Sequence, residues 1–171
     1  MATLQEEPAR GDHDSDAEST TLNPDQLKTR QEALLVAEER NRRILDSAAE
    51  GIFATDAEGR ITFVNAAACR LLGYTAEELL GQPSHSLIHH HRPDGSEYPV
   101  EECPMVAACR SGATGRVDEE QLWRKDSTAF FVEYSAMPMM KDGRISGAVI
   151  CFSDFTERVR LRQMFRAVFN A

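Results

Sequence analysis

The side chains best suited to chemistry are histidines in the middle of the chain, between positions 85 and 91. One neutral imidazole is enough to ligate haem iron, so His85, His89 or His90 could act as an axial ligand. His85 and His89 are four residues apart and would share a helix face. With Cys103 or Cys109 they would supply nitrogen and sulfur, the ligands of many zinc sites. A haem or metal site through His85, His89 and His90 is therefore one hypothesis.

A second interpretation treats the same histidines as surface residues. His90 and His91 precede Arg92-Pro93, a polar combination typical of a solvated loop. Cys103 and Cys109 are six residues apart, about 240° around a helix, and would not face one metal together. The chain has no Cys-x-x-Cys or His-Glu-x-x-His spacing. This pattern favours exposed, hydrogen-bonded histidines and no metal.

Catalysis finds no support among the remaining polar residues. The chain has no glycine-rich phosphate loop, nucleophile elbow or kinase signature. Its acidic pairs are adjacent in sequence, so their side chains should diverge onto solvated faces: Glu77-Glu78, Glu101-Glu102 and Glu119-Glu120. The four cysteines lack the spacing of a disulfide framework. The sequence predicts that the chain is not an enzyme.

Composition sets the scale of the structure that must position these residues. The chain has 171 residues, of which 42% are hydrophobic, and this length suits one domain with flanking segments. A net charge of −9 argues against direct binding to nucleic acid or anionic lipid. No apolar stretch is long enough to span a membrane, and no secretory signal region opens the chain. We therefore expect a cytoplasmic protein without membrane contact.

The first 47 residues divide into two segments. Residues 1–24 are acidic and nearly free of large apolar side chains, so a disordered tail is predicted there. Residues 25–47 lack Gly and Pro and predict an amphipathic or coiled-coil helix. A stepping of three and four residues aligns five side chains on one seam: Leu27, Leu34, Ala37, Asn41 and Ile44. A single inner Asn can fix the register of a two-stranded coiled coil, so the seam predicts a homodimer. The alternative is a helix that lies against its own domain.

Residues 48–156 alternate short strands, turns and short helices. Turn signals predict strands at 51–56 and 60–65. Cap signals predict three short helices: one at 66–72, one that starts at the capping box Thr75-Ala-Glu-Glu78, and one from Pro104 to Gly112. Alternation predicts further strands at 118–125, 128–137 and 144–153. The last two are apolar on both faces, so we expect the helix at 25–47 or a partner chain to cover the second face of the sheet.

Five pieces of this region, in the same order and with the same gaps, resemble a bacterial PAS sensory domain of sensor kinases and response regulators. They are Gly51-Ile-Phe-Ala-Thr-Asp56, Gly59-Arg-Ile-Thr-Phe-Val-Asn65, Leu72-Gly-Tyr74 with Glu78-Leu-Leu-Gly81, Trp123-Arg-Lys-Asp126 and Gly147-Ala-Val-Ile-Cys-Phe-Ser-Asp154-Phe-Thr-Glu-Arg158. The resemblance covers about 48–158. It departs from the family at Ser127, where Gly is usual and a turn conformation unfavourable for Ser is needed, and at Phe155, where Ile is usual.

The resemblance implies an α+β fold with a five-stranded antiparallel sheet, short helices on one face and, here, a long N-terminal helix before them. Those helices would enclose an apolar ligand pocket on the sheet. Apolar positions on the sheet and on the roofing helices give its expected lining: Phe63, Leu72, Leu87, Ile88, Val106, Cys109, Val132 and Ile150. Light-sensing flavin chemistry of the LOV type is excluded, because Pro83-Ser-His-Ser-Leu87 stands where the reactive Cys motif would lie. The cofactor remains open, with haem or another flavin as candidates.

The resemblance also implies that flanking helices transmit the signal. Asp154 and Thr156 would anchor the last strand to an outgoing helix that begins near Thr156. Residues 157–171 would form this signalling helix, with Arg158 at the junction, and would contact an effector domain or partner protein. Asp154 would equally serve as a plain N-cap of that helix. The expected function is a sensory and dimerisation module that regulates a kinase or a transcriptional effector. The competing hypothesis is a structural dimer adaptor whose pocket is filled by its own side chains.

Overall fold

The computed structural model describes residues 23–169, except for the side chains of Glu119 and Phe169. The helices are α1 Pro24–Asp46, α2 Ala66–Leu72, α3 Ala76–Leu79, α4 Ser84–Ile88, α5 Pro104–Ser111 and α6 Thr156–Phe169, with a 3-10 turn at Val100–Glu102. The strands are β1 Gly51–Asp56, β2 Ile61–Val64, β3 Gly115–Trp123, β4 Ala129–Lys141 and β5 Arg144–Asp154. The predicted disordered tail at 1–24 lies outside the described residues, apart from its last two. The long N-terminal helix is confirmed, and the chain divides within it into a unit that ends at Ala37 and a second unit that begins at Glu38.

The five strands form one antiparallel sheet in the order β2-β1-β5-β4-β3, which confirms the predicted α+β architecture. The first and last strands of the chain therefore meet at the centre, where Phe53 of β1 pairs with Ile150 of β5. Gly147 of β5 pairs with Asp56 and has φ +152, and a Cβ there would collide with the backbone carbonyl of Thr55. Only glycine permits this close approach of β1 and β5.

Local turn chemistry explains the long hairpins. Asp142 and Gly143 join β4 to β5 with φ values of 51° and 73°, which suits the two-residue turn of a right-twisted hairpin. Ser127, between β3 and β4, has φ 64°, so the unfavourable turn conformation expected from the sequence is present. Asp126 compensates, because its Oδ1 accepts hydrogen bonds from the backbone N and the hydroxyl of Thr128 at 3.0 and 2.6 Å.

The core lies between the sheet and the short helices. The inward side chains of β4 alternate as predicted, so Phe130, Val132, Tyr134 and Ala136 are all buried. They pack with Phe53, Ile150 and Phe152 from the central strands and with apolar residues of α2 and α5. Burial of such apolar area is the main stabilising term of the domain.

The other face of the sheet is more open than expected. Met137 and Met140 of β4 are 53% and 59% exposed. The part of α1 from Glu38 does not cover them, because it runs beside Thr62 and Phe63 of the edge strand β2. The expectation that the N-terminal helix shields β4 and β5 is therefore wrong for this part of the helix. A partner chain as the cover stays a prediction.

The helix α6 follows the last strand, and among its side chains at 156–168 one apolar group, Val159, is buried. Leu161, Met164, Phe165 and Val168 are between 49% and 67% exposed. No helix within residues 23–169 has both the length and the apolar character that a membrane span requires.

Candidate functional site

The short helix α4 and the loop after it bring polar side chains into the core. Ser84 fixes the start of α4, because its hydroxyl donates a 3.0 Å hydrogen bond to the carbonyl of Gly59. The loop then turns at Gly95, which has φ 84°, and returns so that the Tyr98 N–H bonds the His90 carbonyl at 2.9 Å. The Tyr98 ring consequently lies 4.6 Å from the His89 ring, centroid to centroid.

His89 is the centre of this group and is completely buried. Its Nδ1 lies 3.1 Å from Sγ of Cys103, which sits immediately before α5. Its Nε2 lies 3.3 Å from Oε1 of Glu120 on β3. The Tyr134 hydroxyl on β4 donates a 2.7 Å hydrogen bond to the other oxygen of Glu120. Four separate elements therefore meet at one imidazole, and we call these residues, with His85 and Tyr98, the buried polar cluster.

Neighbouring groups in the cluster shift the pKa values of His89, Glu120 and Tyr134. Burial would lower the pKa of His89, but Cys103 and Glu120 outweigh it and raise that pKa to about 9. Burial would raise the pKa of Glu120, but His89 and the tyrosine hydroxyls hold it below its ordinary value. Burial and the Glu120 charge raise the pKa of Tyr134, so its phenol stays protonated and keeps donating. The cluster is an imidazolium and carboxylate pair surrounded by hydrogen-bonding groups.

His85 completes the cluster from the first turn of α4. Its Nε2 lies 2.8 Å from the Tyr98 carbonyl, so Nε2 carries the proton and donates. Its Nδ1 is buried and has no hydrogen-bond partner. Burial lowers the pKa of His85, which favours the neutral ring. Ligand atoms of His85, His89 and Cys103 all lie within 4.8 Å of one another.

The sequence interpretation of this region is wrong in three respects. His89 is not an exposed loop residue, because the returning loop covers it with Tyr98. His90 does not join His85 and His89, because it stacks on the Trp123 ring at 5.2 Å, and Cys103 takes its place. Glu120 is not on a solvated face, because it lies two residues before the buried Leu122 and so shares the inward face of β3. The two-residue alternation of β3 was the sequence signal that could have predicted the inward position of Glu120.

Seven of the eight predicted pocket residues lie on the inner side of the sheet. Leu72, Ile88, Val106, Cys109, Val132 and Ile150 belong to the buried core, and Leu87 packs against it. Phe63 does not, and its placement is a correction. Phe63 pairs with Ala54, whereas its neighbour Val64 pairs with the inward-facing Phe53, so Phe63 points to the opposite face. It lines a groove of about 420 Å³ together with Asn41 and Leu45 of α1 and Leu80. Whether the inner positions line a ligand pocket stays a prediction.

The predicted signal junction brings together the start of α6 and three other elements. Asp154 accepts a 2.9 Å hydrogen bond from the Thr156 N–H through Oδ1 and lies 3.1 Å from Arg124 through Oδ2. Arg124 also donates from Nε to the Leu71 carbonyl at the end of α2, at 2.9 Å. The Thr156 hydroxyl accepts a 3.0 Å hydrogen bond from the N–H of Phe131 on β4. Arg124, which sequence reasoning did not single out, thus joins α2 to the α6 junction.

The remaining predicted site residues are Arg158 at the junction and the five seam residues of α1. The Arg158 guanidinium lies 4.9 Å from the centre of the Phe155 ring, so it folds back on the junction. All five predicted seam residues of α1 are exposed, and Leu27, Leu34 and Ile44 are 52%, 59% and 56% accessible. Asn41, in addition, borders the groove with Phe63.

A second junction, at Asn65, holds the end of α1. The Asn65 side chain is completely buried and makes four hydrogen bonds of 2.9 to 3.0 Å. Its Nδ2 donates to the carbonyls of Leu45 and Glu50, and its Oδ1 accepts from the N–H groups of Ile52 and Ala68. It therefore caps α2 and fixes the last turn of α1 at once.

A family model described as the PAS fold matches residues 39–155, which is more than half of the chain. The chain belongs to the PAS family. The PAS domain of an HTR-like protein from Haloarcula marismortui is 22% identical, with a TM-score of 0.58, and the alignment covers 74% of this chain and 98% of that one. At this identity the likeness supports the fold alone.

Two curated relatives from Escherichia coli (strain K12) are signalling proteins. The probable diguanylate cyclase DgcE is 33% identical over 84% of this chain and 13% of its own length. The signal transduction histidine-protein kinase AtoS is 29% identical over 69% of this chain and 18% of its own length. The chain thus spans less than a fifth of these relatives. It carries a PAS domain of the kind that serves as a sensory module in signal transduction.

Proposed function

We propose that this PAS domain is a sensory and dimerisation module. It couples a small-molecule, redox or gas signal, received on the inner face of the sheet, to flanking helices that regulate a kinase or a transcriptional effector. The observation that carries the proposal is the position of Arg124, which bonds both the Leu71 carbonyl of a roofing helix and Asp154 at the start of α6. The effector domain or partner protein contacts the exposed apolar side chains of α6.

Signal transfer requires two arrangements of the junction with different ligand affinity, since a ligand indifferent to them shifts no equilibrium. The contacts of Arg124 and Asp154 suit such a change. Their side chains are 28% and 31% exposed, so water can replace their mutual bond at small cost. A displacement of α2 by a ligand on the inner face therefore alters the contacts that hold α6.

Hydrogen exchange across residues 156–169 tests this coupling. The protein as purified is compared with the protein after extraction of any copurified ligand, in wild type and in Asp154→Ala. Ligand removal should change protection of α6 in wild type and leave it unchanged in Asp154→Ala. Asp126→Ala is the matched control, because Asp126 accepts similar bonds but only within its own hairpin. Equal changes in wild type and Asp154→Ala would refute the role of the junction.

Dimerisation is proposed through the exposed seam of α1 at Leu27, Leu34, Ala37, Asn41 and Ile44. Leu34→Glu should shift sedimentation from dimer to monomer, because it places a charge in that seam. Val36→Glu is the control, since Val36 is 67% exposed but lies off the seam. An unchanged dimer in Leu34→Glu, or equal dissociation in both variants, would contradict the seam.

The alternative function is a ligand-free structural dimer adaptor. It is favoured by the dense burial of the predicted pocket residues, of which Leu72, Val132 and Ile150 have no accessible surface. An absorbance spectrum and a native mass of the purified protein discriminate the two. Haem and flavin each have visible absorption, and a mass equal to that of the polypeptide alone favours the adaptor.

A second alternative is a haem- or metal-binding sensor that uses the histidines at 85–91. Tyr98, Cys103 and Glu120 lie close around the His89 ring, so haem ligation by His89 would require these side chains to move. The same arrangement suits a single metal ion.

A further inference from the structure

We propose that His85, His89 and Cys103 bind one divalent transition-metal ion of the zinc class, through Nδ1 of each histidine and Sγ of the cysteine. The proposal deepens the proposed function and rests on it only for the role of the ion as a signal. Metal binding itself stands on the geometry of the cluster. The site lies between α4 and the start of α5, on the inner side of the sheet.

The first support is the convergence of the three ligand atoms. Nδ1 of His89 and Sγ of Cys103 are 3.1 Å apart, and a ligand atom of His85 lies within 4.8 Å of both. Zinc bonds of about 2.0 to 2.3 Å place neighbouring nitrogen and sulfur ligands at separations within this range. The histidines are four residues apart around the end of α4, so one helical turn sets their spacing.

The second support is the set of groups behind the ligands. Histidines that bind metals usually donate their other N–H to a carbonyl or carboxylate, which fixes the ring and its tautomer. Nε2 of His85 donates to the Tyr98 carbonyl at 2.8 Å, and Nε2 of His89 lies 3.3 Å from the Glu120 carboxylate. The Tyr134 hydroxyl in turn holds Glu120 at 2.7 Å. The His89 ring is therefore oriented with Nδ1 towards Cys103, and the His85 ring, whose Nε2 is engaged, has Nδ1 left for a metal.

The third support is a buried, unsatisfied polar atom on one of the proposed ligands. Nδ1 of His85 is buried without a hydrogen-bond partner, although buried polar atoms in proteins are nearly always paired. Nε2 of the completely buried His89 also lacks a well-aligned hydrogen bond, despite the nearby carboxylate. A metal ion bound to Nδ1 of His85 would pair the first atom, and deprotonation of Nδ1 of His89 would leave its Nε2 proton to Glu120.

The ligand set selects the class of metal. Two imidazoles and one thiolate suit Zn²⁺ or Co²⁺ and do not suit Mg²⁺ or Ca²⁺, which require oxygen ligands. Binding releases two protons to solvent, one from the Cys103 thiol and one from Nδ1 of the His89 imidazolium, while the Nε2 proton of His89 stays with Glu120. Three protein ligands leave a fourth position for water or a small molecule. A surface cavity of about 350 Å³ is lined by Tyr98 and Glu120, two members of the buried polar cluster.

Titration of the metal-free full chain with Co²⁺ tests the site. We expect one ion per chain, a sulfur-to-cobalt charge-transfer band and visible bands of tetrahedral cobalt. Cys103→Ser should abolish the charge-transfer band and weaken binding at least about 100-fold, since it removes a direct ligand. Cys109→Ser is the matched control: Cys109 is buried in the same helix region, but its Sγ bonds the Val106 carbonyl instead. No saturable binding, or a band that survives in Cys103→Ser, overturns the proposal.

Glu120→Gln tests the positioning role of the carboxylate behind His89. We expect the charge-transfer band to remain at one ion per chain while affinity falls about 10- to 100-fold, with partial recovery in Glu120→Asp. Unchanged metal affinity in a folded Glu120→Gln variant would contradict the positioning role.

A measurement on the unmodified chain covers the case in which the variants fail to fold. Zn²⁺ should protect Cys103 from alkylation, mapped by mass spectrometry, and leave labelling of Cys69 and Cys151 unchanged. Equal labelling of Cys103 with and without Zn²⁺ overturns the site. Metal binding without any change in α6 hydrogen exchange would keep the site and remove its signalling role. If α6 responded to another ligand and no metal bound, the metal site would be refuted and the proposed coupling to α6 would stand.

Discussion

The two helices that flank the PAS domain are attached in different ways. The last turn of α1 is held by Asn65, which is completely buried and makes four hydrogen bonds. The first turn of α6 is held by Asp154 and Arg124, which are 31% and 28% exposed, and by one hydrogen bond from the Phe131 N–H to the Thr156 hydroxyl. Buried amide networks are costly to break, whereas exposed ion pairs contribute little. The incoming helix is thus part of the core at its end, and the outgoing helix is held by contacts that a small perturbation can change.

The largest change in stability is expected for Asn65→Ala, which tests the attachment of α1. It removes four hydrogen bonds and leaves buried donors and acceptors unpaired, so we expect a loss of about 2 to 4 kcal/mol in the free energy of unfolding. Urea denaturation measures it. Asn23→Ala is the control, because Asn23 also caps a helix, at 2.8 Å from the Gln26 N–H, but is exposed. It should cost less than about 1 kcal/mol. Similar losses in the two variants would remove the contrast between buried and exposed attachment.

A smaller effect is expected from Arg124→Met. This substitution removes the Asp154 ion pair and the bond to the Leu71 carbonyl but retains apolar contact with the Phe130 ring, which the guanidinium covers at 4.0 Å. We expect about 1 to 2 kcal/mol of destabilisation.

The contribution of the Arg124 and Asp154 pair itself can be separated by a double-mutant cycle. Arg124→Met and Asp154→Ala, alone and together, should give a coupling energy of about 0.2 to 1 kcal/mol. Urea unfolding of the four proteins provides it. A coupling above about 2 kcal/mol would mean that the outgoing helix is fixed as firmly as the incoming one.

The smallest test concerns the hairpin that carries Arg124. Ser127→Gly should stabilise the domain by about 0.5 kcal/mol, because φ 64° strains Ser but not Gly, while the added flexibility of unfolded glycine offsets part of the gain. Thermal unfolding is sensitive enough to detect it. Ser86→Gly, in the short helix α4, should instead destabilise the domain, because glycine is unfavourable within a helix and relieves no backbone strain at this position. A stabilising Ser86→Gly would show that the strain argument is not the cause.

The local part of the fold was accessible from the sequence. The capping box of Thr75 and Glu78 forms as predicted, and α5 begins at Pro104 and ends before Gly112. These signals act within a few residues, so sequence alone contains the interactions that decide them. The inward alternation of β4 was predictable for the same reason.

The candidate site was less accessible, because it depends on contacts between distant residues. The burial of His89 follows from a loop that returns with Tyr98, and its partners Cys103 and Glu120 lie 14 and 31 positions further along the chain. The misplacement of Phe63 has a similar origin. A register shift between Ala54 and Thr55 in β1 decides which side of β2 faces the core, and no signal within β2 reports it.

The close approach at Gly147 restricts which pairings of β1 and β5 can exist. If β5 slipped by one residue, Ser146 or Ala148 would meet the Thr55 carbonyl, and the Cβ of either would occupy the space that Gly147 leaves. A slip would also turn Ile150 and Phe152 out of the core. The absence of a Cβ at position 147 therefore helps to fix the register of β5 against β1. A misaligned pairing of β1 and β5 is therefore disfavoured twice, by this steric clash and by the loss of core burial.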